Sequence, residues 1–220
     1  LPMLSLVAFA GLKVRRPAHA LIGVFTVAAT ITWIFMASHT AIDPRVKLGL
    51  SSLELAKFYV FSPEEFLKVM VNTLSDATRL SFYWESFLGV LGWLDTPLQP
   101  HQYFVLTLLL VLVWSSFWKV FLNKSFDRSH AALCLVSLAS IVLVFFALLI
   151  TWTPHPAQQV QGVQGRYFLL PVMLLSFAFC RTGQPRTSHT FDLPLVSGCI
   201  FWAYSVWCLH ETLTARYPTY

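Results

Sequence analysis

Gln161-Gly162-Val163-Gln164-Gly165-Arg166-Tyr167-Phe168 is the stretch on which the reading of this chain turns. It joins two apolar runs, and Arg166 is the only Lys, Arg, Asp or Glu between Arg128 and Arg181. The run after it, Tyr167 to Cys180, covers roughly 21 Å as an α-helix, short of a hydrocarbon core of about 30 Å. Either the helix begins upstream, inside the Gln-Gly stretch, or Arg166 lies below the membrane surface. Both options put a guanidinium and two amide side chains near the outer edge of the bilayer. A cation there is costly unless it lines a wet cavity or meets an anion. Gly162 and Gly165 leave room for something else to approach the backbone.

The composition around this corner is that of an integral membrane protein. Of 220 residues, 56% are hydrophobic, 15% aromatic and 11% charged, and the mean hydropathy is +0.65. An average soluble domain carries about twice that charged share. Nineteen Phe and eight Trp suit a lipid-facing surface with aromatic belts. The net charge of +5 resides in short basic clusters beside apolar runs, a topology signal and not a nucleic-acid footprint. The four cysteines (Cys134, Cys180, Cys199, Cys208) lie within or at the ends of apolar runs, with no CxxC or zinc-type spacing, and read as small buried apolar residues.

Apolar runs define an all-α fold, a polytopic transmembrane helical bundle of about five full spans plus an N-terminal partial span. The partial span is 1–12, read as the end of a helix that starts earlier, so that 1–220 is the C-terminal membrane domain of a longer protein. The full spans are 19–38, 102–121, 131–152, 167–180 and 193–209. Lys13/Arg15/Arg16, Lys119/Lys124/Arg128 and Arg181/Arg186 fall in short connections on one side, and Thr153 to Gln164 on the other has no Lys or Arg. The positive-inside rule then places 39–100, 153–166 and the C-terminal tail outside.

The long outer segment 39–100 carries helix signals of its own. Ser62-Pro63-Glu64-Glu65 reads as an N-cap, a proline at the first helical position and a glutamate three residues after the cap. The spacing predicts a surface helix over Pro63–Thr78 with Phe66, Met70 and Leu74 on its apolar stripe. Phe82 to Leu94 is too short to cross and reads as an interfacial or re-entrant helix, closed by a turn at Gly92-Trp93-Leu94-Asp95-Thr96-Pro97.

Two blocks, Gly89-Val90-Leu91-Gly92-Trp93-Leu94-Asp95-Thr96 and Gly162-Val163-Gln164-Gly165-Arg166-Tyr167-Phe168-Leu169-Leu170-Pro171, resemble the signature blocks of a bacterial family catalogued as domain of unknown function 2142. Leu149-Ile150-Thr151-Trp152-Thr153-Pro154 and Asn72-Thr73-Leu74 fit as well. The prolines after the first block, Pro97 and Pro100, depart from the spacing of the family pattern. That family resembles the multi-span GT-C glycosyltransferases, which take a sugar from a polyprenyl-phosphate carrier at the outer face. The resemblance implies a bacterial cytoplasmic (inner) membrane protein serving cell-envelope glycan assembly. Its partners would be the lipid bilayer, a polyprenyl-phosphate-linked sugar and further membrane proteins. In that class the catalytic carboxylate typically lies in the first outer loop, which this chain is expected to lack.

A lipid-phosphate donor needs a cation fixed at headgroup depth, and the planar fork of arginine grips phosphate oxygens in bidentate fashion. Arg166 is the candidate, with Gln164, Gly165, Gly162, Tyr167 and Trp93 as further substrate-binding residues; a lipid-snorkelling arginine is the plainer reading. A base for the acceptor hydroxyl would come from the outer carboxylates, with Asp95 and Glu85 as candidates. Asp95 is equally explained as a turn-closing side chain and Glu85 as a partner of Arg79 or Arg166. His39, His101, His155 and His210 map to outer helix ends, but no two sit at ligand spacing, so a divalent cation cofactor finds no support in the sequence. Tyr83, Trp84, Trp93, Trp152 and Tyr167 suit a sugar face or, more plainly, the outer aromatic belt. A transporter or flippase, or a non-catalytic scaffold subunit for envelope glycans, is the alternative to a transferase.

Overall fold

The computed structural model describes residues 24, 25, 28, 29, 31, 32, 36, 49–92, 94–122, 128–179 and 193–217. The described chain is mostly helical and falls into two compact units. The readings at 1–12, at Trp93, at His39 and in the basic loop around Arg181 lie outside the described residues. Of 19–38, the described positions are helical.

The first unit comprises Leu1–Arg79, Phe126–Val163 and Leu170–Ala178. Its helices are α1 (Ser52–Phe61), α2 (Pro63–Leu74), α5 (Arg128–Thr151) and most of α6 (Leu169–Phe179). A capping box starts α1: the Ser51 hydroxyl accepts the Glu54 N–H, and the Glu54 carboxylate accepts the Ser51 N–H at 2.9 Å. Leu55 and Tyr59 of α1 are buried, as are Phe145 and Leu149 of α5, while Phe66 of α2 meets Phe146 edge-on at 5.7 Å. Ser137 of α5 donates to the Pro171 carbonyl of α6 at 2.7 Å. Pro171 is tolerated because it sits in the first turn, where backbone N–H groups have no intrahelical partner.

Within α5, Ala131–Thr151 is long and apolar enough to cross a membrane, with mean hydropathy 3.0, yet only 22% of that window is buried in the protein. A core helix of that composition would be mostly covered by its neighbours. Leu135, Leu138 and Leu143 are exposed instead, as expected of a helix solvated by lipid. Pro100–Ser115 of the next unit and Gly165–Ala178 are further apolar helical stretches among the described residues.

The second unit comprises Leu80–Ser125, Gln164–Leu169 and Phe179–Tyr220. It holds most of α3 (Ala77–Leu88), a hairpin of β1 (Val90–Leu91) and β2 (Thr96–Pro97), α4 (Pro100–Leu122) and α7 (Leu193–Arg216). The strands are antiparallel with Val90 opposite Pro97 and Leu91 opposite Thr96. Gly92 and Leu94 turn the chain with φ of 65° and 67°. Leu98, Leu106 and Cys208 form the core between hairpin, α4 and α7, flanked by Leu88, Tyr103, Phe201 and Tyr204. The Tyr103 hydroxyl donates to the Gly89 carbonyl at 2.9 Å and accepts the Leu98 N–H at 3.0 Å. Gln102, 1% exposed, donates to Glu211 at 2.8 Å and accepts the Gln99 N–H.

Several boundaries differ from the sequence reading. Helix α2 begins at Pro63 as expected, but no side-chain cap forms at Ser62, and the capping box is at Ser51–Glu54. It ends at Leu74, not Thr78, because Asp76 accepts the Thr78 and Arg79 N–H groups at 3.0 and 3.4 Å and so starts α3. Its covered stripe is Phe66, Val69, Met70 and Thr73, whereas Leu74 is exposed. The predicted interfacial helix over Phe82–Leu94 is replaced by α3, which stops at Leu88, and the hairpin, because Gly89 and Gly92 adopt positive φ. The helix read as 193–209 continues to Arg216.

Candidate functional site

The Gln-Gly corner ends in a short 3-10 turn, Gly165–Phe168, that leads directly into α6. The helical segment therefore begins inside the corner, the first of the two options posed by the short apolar run. Gly165 is buried; a Cβ there would overlap the carbonyl of Tyr83 and the N–H of Phe87 on α3. Its own N–H donates to the Ser86 hydroxyl at 2.7 Å, and Ser86 in turn donates to the Phe82 carbonyl. The group that approaches this glycine is thus the backbone of α3. Gln164 caps the turn in an extended conformation, with Oε1 buried and without a hydrogen-bond partner.

This anchoring presents Arg166 and Tyr167 outward. Both side chains are exposed, and the guanidinium lies over the Tyr167 ring at 6.0 Å. Among the described residues Arg166 meets no carboxylate. Arg79 and Arg216 do: Arg79 Nε lies 3.5 Å from Asp76, and Arg216 donates to Asp95 at 2.7 Å. The Asp95 hydrogen bond holds the Arg216 guanidinium above its ordinary pKa against the opposing effect of burial.

The two carboxylates singled out in the sequence are accounted for by other contacts. Glu85 accepts the Ser81 hydroxyl at 3.2 Å, and Asp95 ties the hairpin turn to the end of α7. Among the described residues no three His, Cys, Asp or Glu side chains gather as a metal site. His101 and His210 are exposed, and His155 packs edge-on to Phe58 at 5.3 Å. Tyr83 is buried, and Trp84 Nε1 donates to Thr107 at 2.9 Å.

In the first unit, the loop after α5 is laid against α2. Gly162 takes φ of 75°, and a Cβ there would strike the Trp152 ring. Thr73, fully buried, accepts the Val160 N–H at 2.8 Å, and Arg79 Nη1 donates to the Val160 carbonyl at 3.0 Å. Asn72 donates to the Gln158 carbonyl, and Gln159 donates to the Asn72 carbonyl and to Asp76, each at 3.4 Å. Thr153 accepts the Gln161 N–H at 3.0 Å. Burial pushes the Asp76 carboxyl up, but the N–H groups of Arg79 and Thr78, the Gln159 amide and the Arg79 charge outweigh it and hold it below the ordinary value. Between loop and Arg79 lies a cleft of about 300 Å³. Arg79 entered the sequence reading only as a partner for Glu85. The uncharged Gln158-Gln159 pair was the visible signal for this cleft.

Some of the residues that carry the family resemblance meet here: Asn72-Thr73 lies against 158–160, and Gly162 against Trp152. Residues 1–175 match the family described as "Predicted membrane protein (DUF2142)". The chain belongs to this family. Comparison with curated proteins and with solved structures returned no match. In this DUF2142 member, the glycines of the second block are therefore clearances, Gly162 for an indole and Gly165 for a helix backbone. The side chains of the block left facing out are Arg166 and Tyr167.

Proposed function

We propose that this DUF2142 protein binds the phosphate of a polyprenyl-phosphate-linked sugar through Arg166 and handles that sugar in the manner of a GT-C glycosyltransferase. It does so at the outer face of a bacterial cytoplasmic membrane that the chain crosses in five full spans. The observation that carries the reading is the state of Arg166: exposed and without a carboxylate among the described residues, whereas Arg79 and Arg216 each have one. A cation left open beside an apolar helix has an anion as its natural complement. Tyr167 backs the guanidinium, and Gln164 contributes an amide at the same turn. The Gly165 N–H is committed to Ser86, so Gly165 positions the arginine and does not itself contact phosphate. The Asp95–Arg216 contact supports placing the 39–100 segment and the C-terminal tail on one side of the membrane.

Donor binding by the full-length protein, with membrane level followed in parallel, tests this. Arg166→Lys keeps the charge but loses the fork and should weaken binding of polyprenyl-phosphate sugar. Arg166→Gln should weaken it by about 10–100-fold while the protein still inserts. Wild-type donor binding by well-inserted Arg166→Gln would reduce the arginine to a lipid anchor.

A further inference from the structure

We propose that the cleft between Arg79 and the loop after α5 is a binding site for a neutral saccharide. The cleft holds about 300 Å³ and is lined by Arg79, Gln158, Gln159 and Gln161, with Pro154 and Pro156 among its apolar walls. That volume is at the lower end for small-molecule sites and admits about one or two sugar rings.

Its polar groups suit hydroxyls. The side chains of Gln158 and Gln161 are exposed and make no hydrogen bond among the described residues. Each amide offers two donors and an acceptor oxygen, the mixture that neighbouring sugar hydroxyls require. Gln159 spends its NH2 on the Asn72 carbonyl and on Asp76, which fixes the side chain in place.

The charge in the cleft is already balanced. Arg79 Nε faces Asp76 at 3.5 Å, and Nη1 is held by the Val160 carbonyl at 3.0 Å. Among the described residues no other Lys, Arg, Asp or Glu lines the space. A phosphate or carboxylate would compete with Asp76 for one cation, whereas a hydroxyl accepts from the remaining guanidinium N–H groups without displacing the carboxylate. The proline rings present C–H surfaces to the apolar face of a pyranose.

The walls are also set in advance. Val160 is fully buried with both backbone groups bonded, and Thr153, 2% exposed, holds the Gln161 N–H. Binding does not have to order the loop, which removes one of the usual entropic costs of association. The site uses neither Arg166 nor a phosphate, so it stands or falls apart from the lipid-phosphate reading.

Saturation-transfer NMR on the full-length protein in nanodiscs tests it, with neutral hexoses, 6-deoxyhexoses and their disaccharides as probes. Glucuronate and inorganic phosphate serve as competitors. Transfer to the ring C–H protons of at least one neutral sugar is expected, undisturbed by either competitor. The double variant Gln158→Ala/Gln161→Ala, which removes no side-chain hydrogen bond among the described residues, should weaken that sugar about tenfold or more at an unchanged melting temperature. Ala157→Phe narrows the cleft while leaving these hydrogen bonds in place and should abolish the transfer. Absence of transfer from every neutral sugar, displacement by glucuronate or phosphate, or transfer unchanged in both variants overturns the proposal.

Discussion

Gly165 and Gly198 make opposite predictions for the same substitution. At Gly165 an added methyl would meet three backbone atoms of α3, which have no flexible end to yield, and the Ser86 hydrogen bond would be displaced with them. Gly165→Ala should therefore destabilise the protein by about 1–3 kcal/mol. Gly198, within α7, has nothing within 4 Å of its would-be Cβ, and Gly198→Ala should be neutral or stabilise by up to about 1 kcal/mol. Thermal unfolding in detergent of the two variants side by side measures this; equal shifts would mean that α3 does not press on Gly165. The sequence disclosed that something approaches these glycines but not what. The partners of Gly165 lie about eighty residues earlier in the chain, and no local pattern announces a pairing of that separation. An approach by ligand and an approach by helix leave the same residue. Arg166 was legible for a different reason, as a lone charge in a long uncharged stretch.

At the scale of the element, the start of α1 is the sharpest case. Ser51→Ala removes the hydroxyl that accepts the Glu54 N–H, a loss of about 1 kcal/mol for a typical cap, or about a fivefold rise in exchange of the first α1 amides. The same contact sets a pH dependence. The Ser51 hydroxyl and N–H hold the Glu54 carboxyl below its ordinary value of 4.5. Its contribution is thus complete above that value and fades as pH falls through the lowered one. Hydrogen–deuterium exchange at the start of α1 should rise only in that acidic window in the native protein and stay raised across the range in Ser51→Ala. Long apolar runs gave α4 and α5 to within a few residues, since burial or lipid solvation of a whole helix leaves a continuous signal. Short elements did not come through as well. The α2–α3 break depends on one aspartate turning its side chain onto the backbone, and from sequence Asp76 is indistinguishable from a residue on a polar face. The hairpin was masked because Val90, Leu91 and Leu94 continue the apolar run of α3 past two glycines.

For the molecule as a whole, the positive-inside reading makes a prediction that needs no atomic detail. In a background lacking the native cysteines, single cysteines at positions 95 and 155 should react with an impermeant maleimide added to intact cells. Those at 124 and 186 should react only after permeabilisation. Outside labelling at 124 with none at 95 would reverse the scheme. Membership of a membrane family was legible because it rests on composition and two short blocks. Among the described residues, α5 carries a full-length apolar window, and α4 and α6 contribute further apolar helix.

A hairpin with two residues per strand has little stiffness of its own. The Tyr103 hydroxyl bridges the Gly89 carbonyl and the Leu98 N–H, just outside the two strand ends, and so adds a rung supplied by α4. Hairpin and first turn of α4 then move as one lever. A push on the tip at Asp95, whether from a headgroup or a partner protein, is shared between the Arg216 contact on α7 and the Tyr103 hydroxyl on α4. Tyr103→Phe would cut the linkage while keeping the ring in the core, leaving the tip to bend without the helix.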